Sequence, residues 1–214
     1  MNDKKWISPR TPRVWRLALA AAAIAVVSAC SSATTPSPAP TPAPAIRADV
    51  TDATGDAAPD ARVAVAPDLV RATASVENGT LTLVVSFAPG TFDRQTTRVA
   101  VLFDTDQNPA TGIRQQDGLG ADYGLDLFPA AAQATITRAD EAGCAARNGC
   151  FVAAGSASMT VLADGIQAVV PLSAIGSSSG RLSFLINTYV LVAPLTPVLF
   201  DYLPDANLAP ARVQ

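Results

Sequence analysis

The sequence predicts an all-β domain, a single antiparallel β-sandwich, over residues 46–214. Three observations predict it. Apolar residues recur at period two rather than 3.6, glycine-bearing turn pairs punctuate these runs, and no long amphipathic helical stripe occurs. Many short half-buried strands of this kind bury their apolar faces as two packed sheets.

Val70, Ala72, Ala74 and Val76 alternate with polar or small residues, and Leu81, Leu83, Val85 and Phe87 resume the pattern after Asn78-Gly79. Asn-Gly accepts positive φ at both turn positions, so these runs form a hairpin. Residues 98–103 are apolar enough for a central strand. Tyr123, Leu125 and Leu127 share the core face of a fourth strand, and residues 134–138 make a fifth. Residues 159–162 and 166–170 flank Ala163-Asp164-Gly165 as a second hairpin, and 171–176 read as one helical turn. Residues 181–192 form a long apolar strand, and a short one spans 198–202 before a proline-bearing tail. The length suffices for a real core, and no internal repeat is present.

Ahead of this domain, Lys4, Lys5, Arg10, Arg13 and Arg16 precede an uncharged apolar run over 17–27. That run is shorter than the roughly 20 residues a membrane span requires, and the order is that of an export signal. It closes on Val27-Ser28-Ala29-Cys30, which resembles the bacterial lipobox. The resemblance implies a removed signal peptide over 1–29 and a diacylglycerol-bearing Cys30. Fatty acyl chains then anchor the protein, each buried methylene contributing about 0.8 kcal/mol. A plain signal peptide with an incidental cysteine and an uncleaved anchor are the rival readings, and the order of charge block, apolar run and cysteine favours lipidation. Ser31 in place of aspartate points to outer-membrane delivery where the host has two membranes. Residues 30–45 comprise the lipidated cysteine and a Pro/Ala/Ser/Thr-rich tether. Alternating proline favours extended polyproline II, at about 3.1 Å per residue, so the tether is a semi-stiff spacer.

The net charge of −3 conceals an asymmetry. Five of fifteen basic residues but one of eighteen acidic residues fall within 1–29, leaving ten against seventeen and a net of −7 beyond it. Such a surface repels phosphate backbones, so nucleic-acid binding is not expected. Histidine is absent, and so is lysine after Lys5. The usual bases for a serine or cysteine nucleophile are therefore missing, and catalytic zinc lacks its main ligand. Of the three cysteines, Cys144 and Cys150 remain once Cys30 is lipidated. Outside the cytoplasm the pair is expected to form a disulfide, with Asn148-Gly149 turning the short loop. A metal-binding pair is the weaker alternative, since no further cysteine or histidine completes it.

The strand at 98–103 runs into Asp104-Thr105-Asp106-Gln107-Asn108-Pro109-Ala110-Thr111-Gly112, and Gly120-Ala121-Asp122-Tyr123 opens the next. Asp104, Asp106 and Asn108 are spaced i, i+2, i+4, which can curl oxygen ligands around one hard cation such as Ca²⁺. Pro109 and Gln115 replace the glycine and glutamate of an EF-hand, so further ligands must come from elsewhere, with Asp122 the candidate. An Asx-rich turn that caps its own backbone is the alternative.

These segments, with the upstream Asn-Gly hairpin and the downstream Val-Val-Pro-Leu-Ser-Ala-Ile, resemble the CBM9/DOMON-like superfamily over residues 68–201. The resemblance implies a β-sandwich, often with structural calcium, at Asp104, Asp106, Asn108 and Asp122. Sugar-binding members stack ligands on exposed tryptophans, but Trp6 and Trp15 leave with the signal. Tyr123, Tyr189 and Tyr202 are the remaining tyrosines, and Tyr123 alternates with the core. Haem-binding members need axial ligands that a chain without histidine, with Met159 its sole mature methionine, does not supply.

The expected function is that of a membrane-anchored surface or periplasmic lipoprotein with a non-catalytic binding or structural module, calcium-stabilised, meeting a glycan or an envelope protein. Two alternatives stand beside it. One is a carboxylate-dependent glycan hydrolase using Asp122 and Asp126, with Asp104 or Asp106 nearby; the other is an accessory subunit of an envelope complex.

Overall fold

Leu81, Leu83, Val85 and Phe87 are all buried, while the residues between them are only partly covered. This period-two alternation builds two antiparallel sheets that share one apolar layer. A computed structural model describes residues 46–115, 118–146, 149–192 and 196–214. The expected signal, Cys30 and the tether lie outside the described residues, as does Asn148.

The first sheet takes its five strands in the order β1 (Ile46–Thr51), β2 (Leu69–Glu77), β3 (Thr80–Phe87), β11 (Gly165–Pro171) and β10 (Ser158–Leu162). The second begins with β13 (Thr196–Leu203), β12 (Leu182–Val192) and β4 (Thr97–Asp104). It continues through β7 (Tyr123–Phe128), β8 (Gln133–Ala139) and β9 (Phe151–Ser156). β14 (Ala211–Val213) pairs with β12 at Leu182–Phe184, beyond the stretch that β13 covers. β5 (Ile113–Arg114) and β6 (Gly120–Ala121) form a small ribbon in the loop between β4 and β7. The domain is an all-β sandwich, as its alternation predicts.

Side chains of both sheets interdigitate in the core. Leu83, Val85 and Ile166 from one meet Val101, Phe103 and Phe184 from the other, all 0–1% exposed. β4 lies between β12 and β7 in the middle of its sheet, which accounts for its apolar composition. Asn78 and Gly79 adopt φ of 50° and 73°, the positive pair that a two-residue hairpin turn requires. The helical turn is a 3₁₀ segment, Leu172–Ile175, closed by Gly176 at φ 65°.

Besides the β5–β6 ribbon, three strands of the two main sheets go beyond the sequence expectation. β1 reads Ile-Arg-Ala-Asp-Val-Thr, six residues long. β9 is an edge strand exposed along most of its length. β14 has only three residues. Each is too short or too weakly apolar to register locally, and each is fixed by pairing with a partner. One short helix, α1 (Glu141–Ala145), occurs among the described residues, with the Asp140 side chain accepting from the Gly143 amide at its start. The Cys144–Cys150 disulfide ties α1 to the residue before β9.

Candidate functional site

Asp104 ends β4 and is 2% exposed, so the central strand delivers a carboxylate to the sandwich end. The chain then leaves as a loop that returns at Asp122. There the Asp122 amide donates to the Phe103 carbonyl (2.8 Å), and its own carbonyl accepts from Ala139 (2.8 Å). Ligand oxygens of Asp104, Asp106 and Asp122 come within 4.8 Å of one another. The loop over 104–122 therefore gathers three of its four candidate oxygen-bearing residues.

Backbone donors hold them there. Asp122 Oδ2 accepts from the Thr105 amide (2.9 Å) and hydroxyl (3.0 Å). The Asn108 amide donates to Asp104 Oδ1 (3.0 Å) and Asp106 Oδ1 (2.9 Å). Asn108 Oδ1 itself accepts from Ala110 (3.1 Å), so this amide caps its own turn. The turn reading and the converging carboxylates are thus both realised in one loop. No ion pair among the described residues involves these aspartates. Burial, with Asp106 and Asp122 nearby, raises the Asp104 carboxyl above its ordinary range. A hard cation bound to the three would relieve that cost.

Sequence reasoning missed what clamps this loop. Leu119 and Ala121, 1% and 0% exposed, pack with Leu185 as a small separate cluster, joined by Leu102 and Phe151. Leu102 and Leu185 are paired neighbours on the outer side of their sheet, so the loop folds over that face. Gly112 takes φ of 67°, and a Cβ on Gly120 would meet the Thr111 carbonyl and lie 2.8 Å from the Asn108 carbonyl. The two arms close only because these positions lack side chains. Gly112 and the Gly118-Leu119-Gly120 run were the available cues.

Two depressions adjoin these elements. One, about 450 Å³, is lined by Asp106, Asp122, Tyr123, Arg138 and Glu141. The other, about 570 Å³, lies on the outer face of the second sheet and is lined by Asn187, Tyr189, Leu191, Pro197 and Leu199. Cross-strand register places Tyr189 beside Arg98, and Asn187 and Asp126 on either side of Ala100. The Arg98 guanidinium stacks 3.3 Å over the Phe128 ring. The outer face thus combines an aromatic ring, an amide, a carboxylate and a cation around one small residue.

Asp126 lies within β7, and Asp122 lies in the bend just before that strand. Burial also raises the Asp126 carboxyl, with Arg98 opposing the shift and Tyr189 lying nearby. A raised carboxyl stabilises the fold fully below its ordinary pKa, and that contribution disappears as pH rises through the raised value. Wild-type urea midpoints should therefore fall from pH 4 to neutrality more steeply than those of Asp126→Asn. Parallel profiles for the two chains would contradict this assignment.

No family model matches the chain, and no curated protein matches it.

Proposed function

We propose that the protein is an exported, lipid-anchored envelope protein whose β-sandwich is a non-catalytic module that binds a glycan. The observation that carries this reading is the outer face of the second sheet. There Tyr189, Asn187, Asp126 and Arg98 surround Ala100 beside a depression of about 570 Å³. A sugar ring presents C–H groups on its faces and hydroxyls on its rim. An aromatic ring flanked by an amide, a carboxylate and a guanidinium complements that pattern. The absence of histidine, and of lysine beyond Lys5, supports binding rather than nucleophilic catalysis. The three-aspartate loop fits a calcium ion that stabilises the module, in keeping with the CBM9/DOMON-like resemblance.

Two measurements test the proposal. In the host envelope, Cys30→Ser should move the chain from the membrane to the soluble fraction, and unchanged fractionation would reject the lipid anchor. On a glycan array, the full chain should bind a defined subset of sugars, with Tyr189→Ala weakening binding at least tenfold at unchanged melting temperature. No binding to any glycan would reject the ligand class. Stable co-purification with an envelope complex would then favour the accessory-subunit reading.

A further inference from the structure

Two segments far apart in sequence bring a second set of carboxylates together. Asp52 follows β1, Asp56 lies four residues on, and Asp201 sits within β13 of the other sheet. Their ligand oxygens also come within 4.8 Å of one another. Oxygen ligands lie about 2.3–2.6 Å from a calcium ion, so oxygens around one ion are separated by up to roughly 5 Å. The spacing suits one hard cation.

A further aspartate makes this more than an acidic cluster. Asp68 is 4% exposed, and its Oδ1 is buried without a hydrogen-bond partner. Its Oδ2 accepts from the Gly55 amide (2.8 Å), next to Asp56. The Leu69 amide, next to Asp68, donates to Asp201 Oδ2 (2.7 Å). The first bond holds the Asp68 carboxylate against the residue before Asp56, the second ties the residue after Asp68 to Asp201, and Asp68 Oδ1 stays unused. Asp52 Oδ2 is likewise buried and unpartnered. An unsatisfied buried carboxylate oxygen costs stability unless a proton or a cation meets it.

We propose that Asp52, Asp56 and Asp201 form a second site for a hard divalent cation of the calcium class, with Asp68 behind them. Such an ion ties the segment after β1 to β13 and so joins the two sheets at this end. No arginine among the described residues forms an ion pair with any of the four. The site is independent of the 104–122 loop and of the outer-face depression.

The test is calcium titration of the full chain, stripped with chelator, by calorimetry. An Asp104→Asn chain, with the first loop disabled, should still bind one calcium ion. Adding Asp56→Asn, a change at an exposed position that spares the fold, should weaken that binding at least tenfold. Asp201→Asn should do the same, since an asparagine oxygen still accepts from Leu69. In the Asp104→Asn chain, calcium should also slow amide exchange at Gly55 and Leu69. Absence of calcium binding to that chain, or binding indifferent to Asp56→Asn, would overturn the proposal.

Discussion

Replacing Phe103 with alanine should lower the melting temperature by roughly 10 °C or more, the largest effect expected of a single substitution in this domain. Phe103 is 0% exposed in the central strand, paired with Phe184 on one side and Tyr123 on the other. Buried Phe→Ala changes cost about 3–5 kcal/mol through lost transfer energy and the cavity left behind. In a domain of this size each kcal/mol moves the midpoint by about 2–4 °C. Leu208→Ala, at a side chain 54% exposed, is the control and should move the midpoint by no more than about 2 °C. Equal effects of the two in thermal denaturation would contradict the placement of the core.

Calcium should raise the melting temperature by roughly 5–10 °C at a hundredfold excess over its dissociation constant, from about 2.7 kcal/mol of linkage. The measurement belongs in an Asp56→Asn chain, where the second site is weakened and the response of the 104–122 loop dominates. Adding Asp104→Asn should abolish the shift, because the amide keeps the Asn108 contact but loses the charge that draws the ion. The sign should also invert. Burial disfavours the Asp104 charge, so without calcium the Asp104→Asn chain should melt above its parent, and with calcium below it. A parent chain with no calcium-dependent shift would remove the metal from this loop.

How much could be read in advance depended on the range of each interaction. The hairpin at Asn78-Gly79 and the strand of Leu81, Leu83, Val85 and Phe87 were legible because alternation and turn preference act between neighbours. The same holds for Asp104 and Asp106, two residues apart on a returning loop. β1 was not legible, since Ile-Arg-Ala-Asp-Val-Thr becomes a strand only by pairing with residues 71–76. Leu119 reads locally as one apolar residue between glycines, and its burial depends on Leu185, a strand away.

The chain alone determined that the domain is β, where its hairpins turn, that Cys144 and Cys150 are the pair available to each other, and that histidine chemistry is closed to it. Folding decided which carboxylates meet. Asp201 touches the amide of Leu69 across 132 positions of sequence, and Tyr189 becomes a neighbour of Arg98 only when β12 lies beside β4. Periodicity and turn geometry are written in adjacent residues. Repulsion between acids, and the cation that would answer it, arise only when packed sheets bring distant segments within a few ångströms.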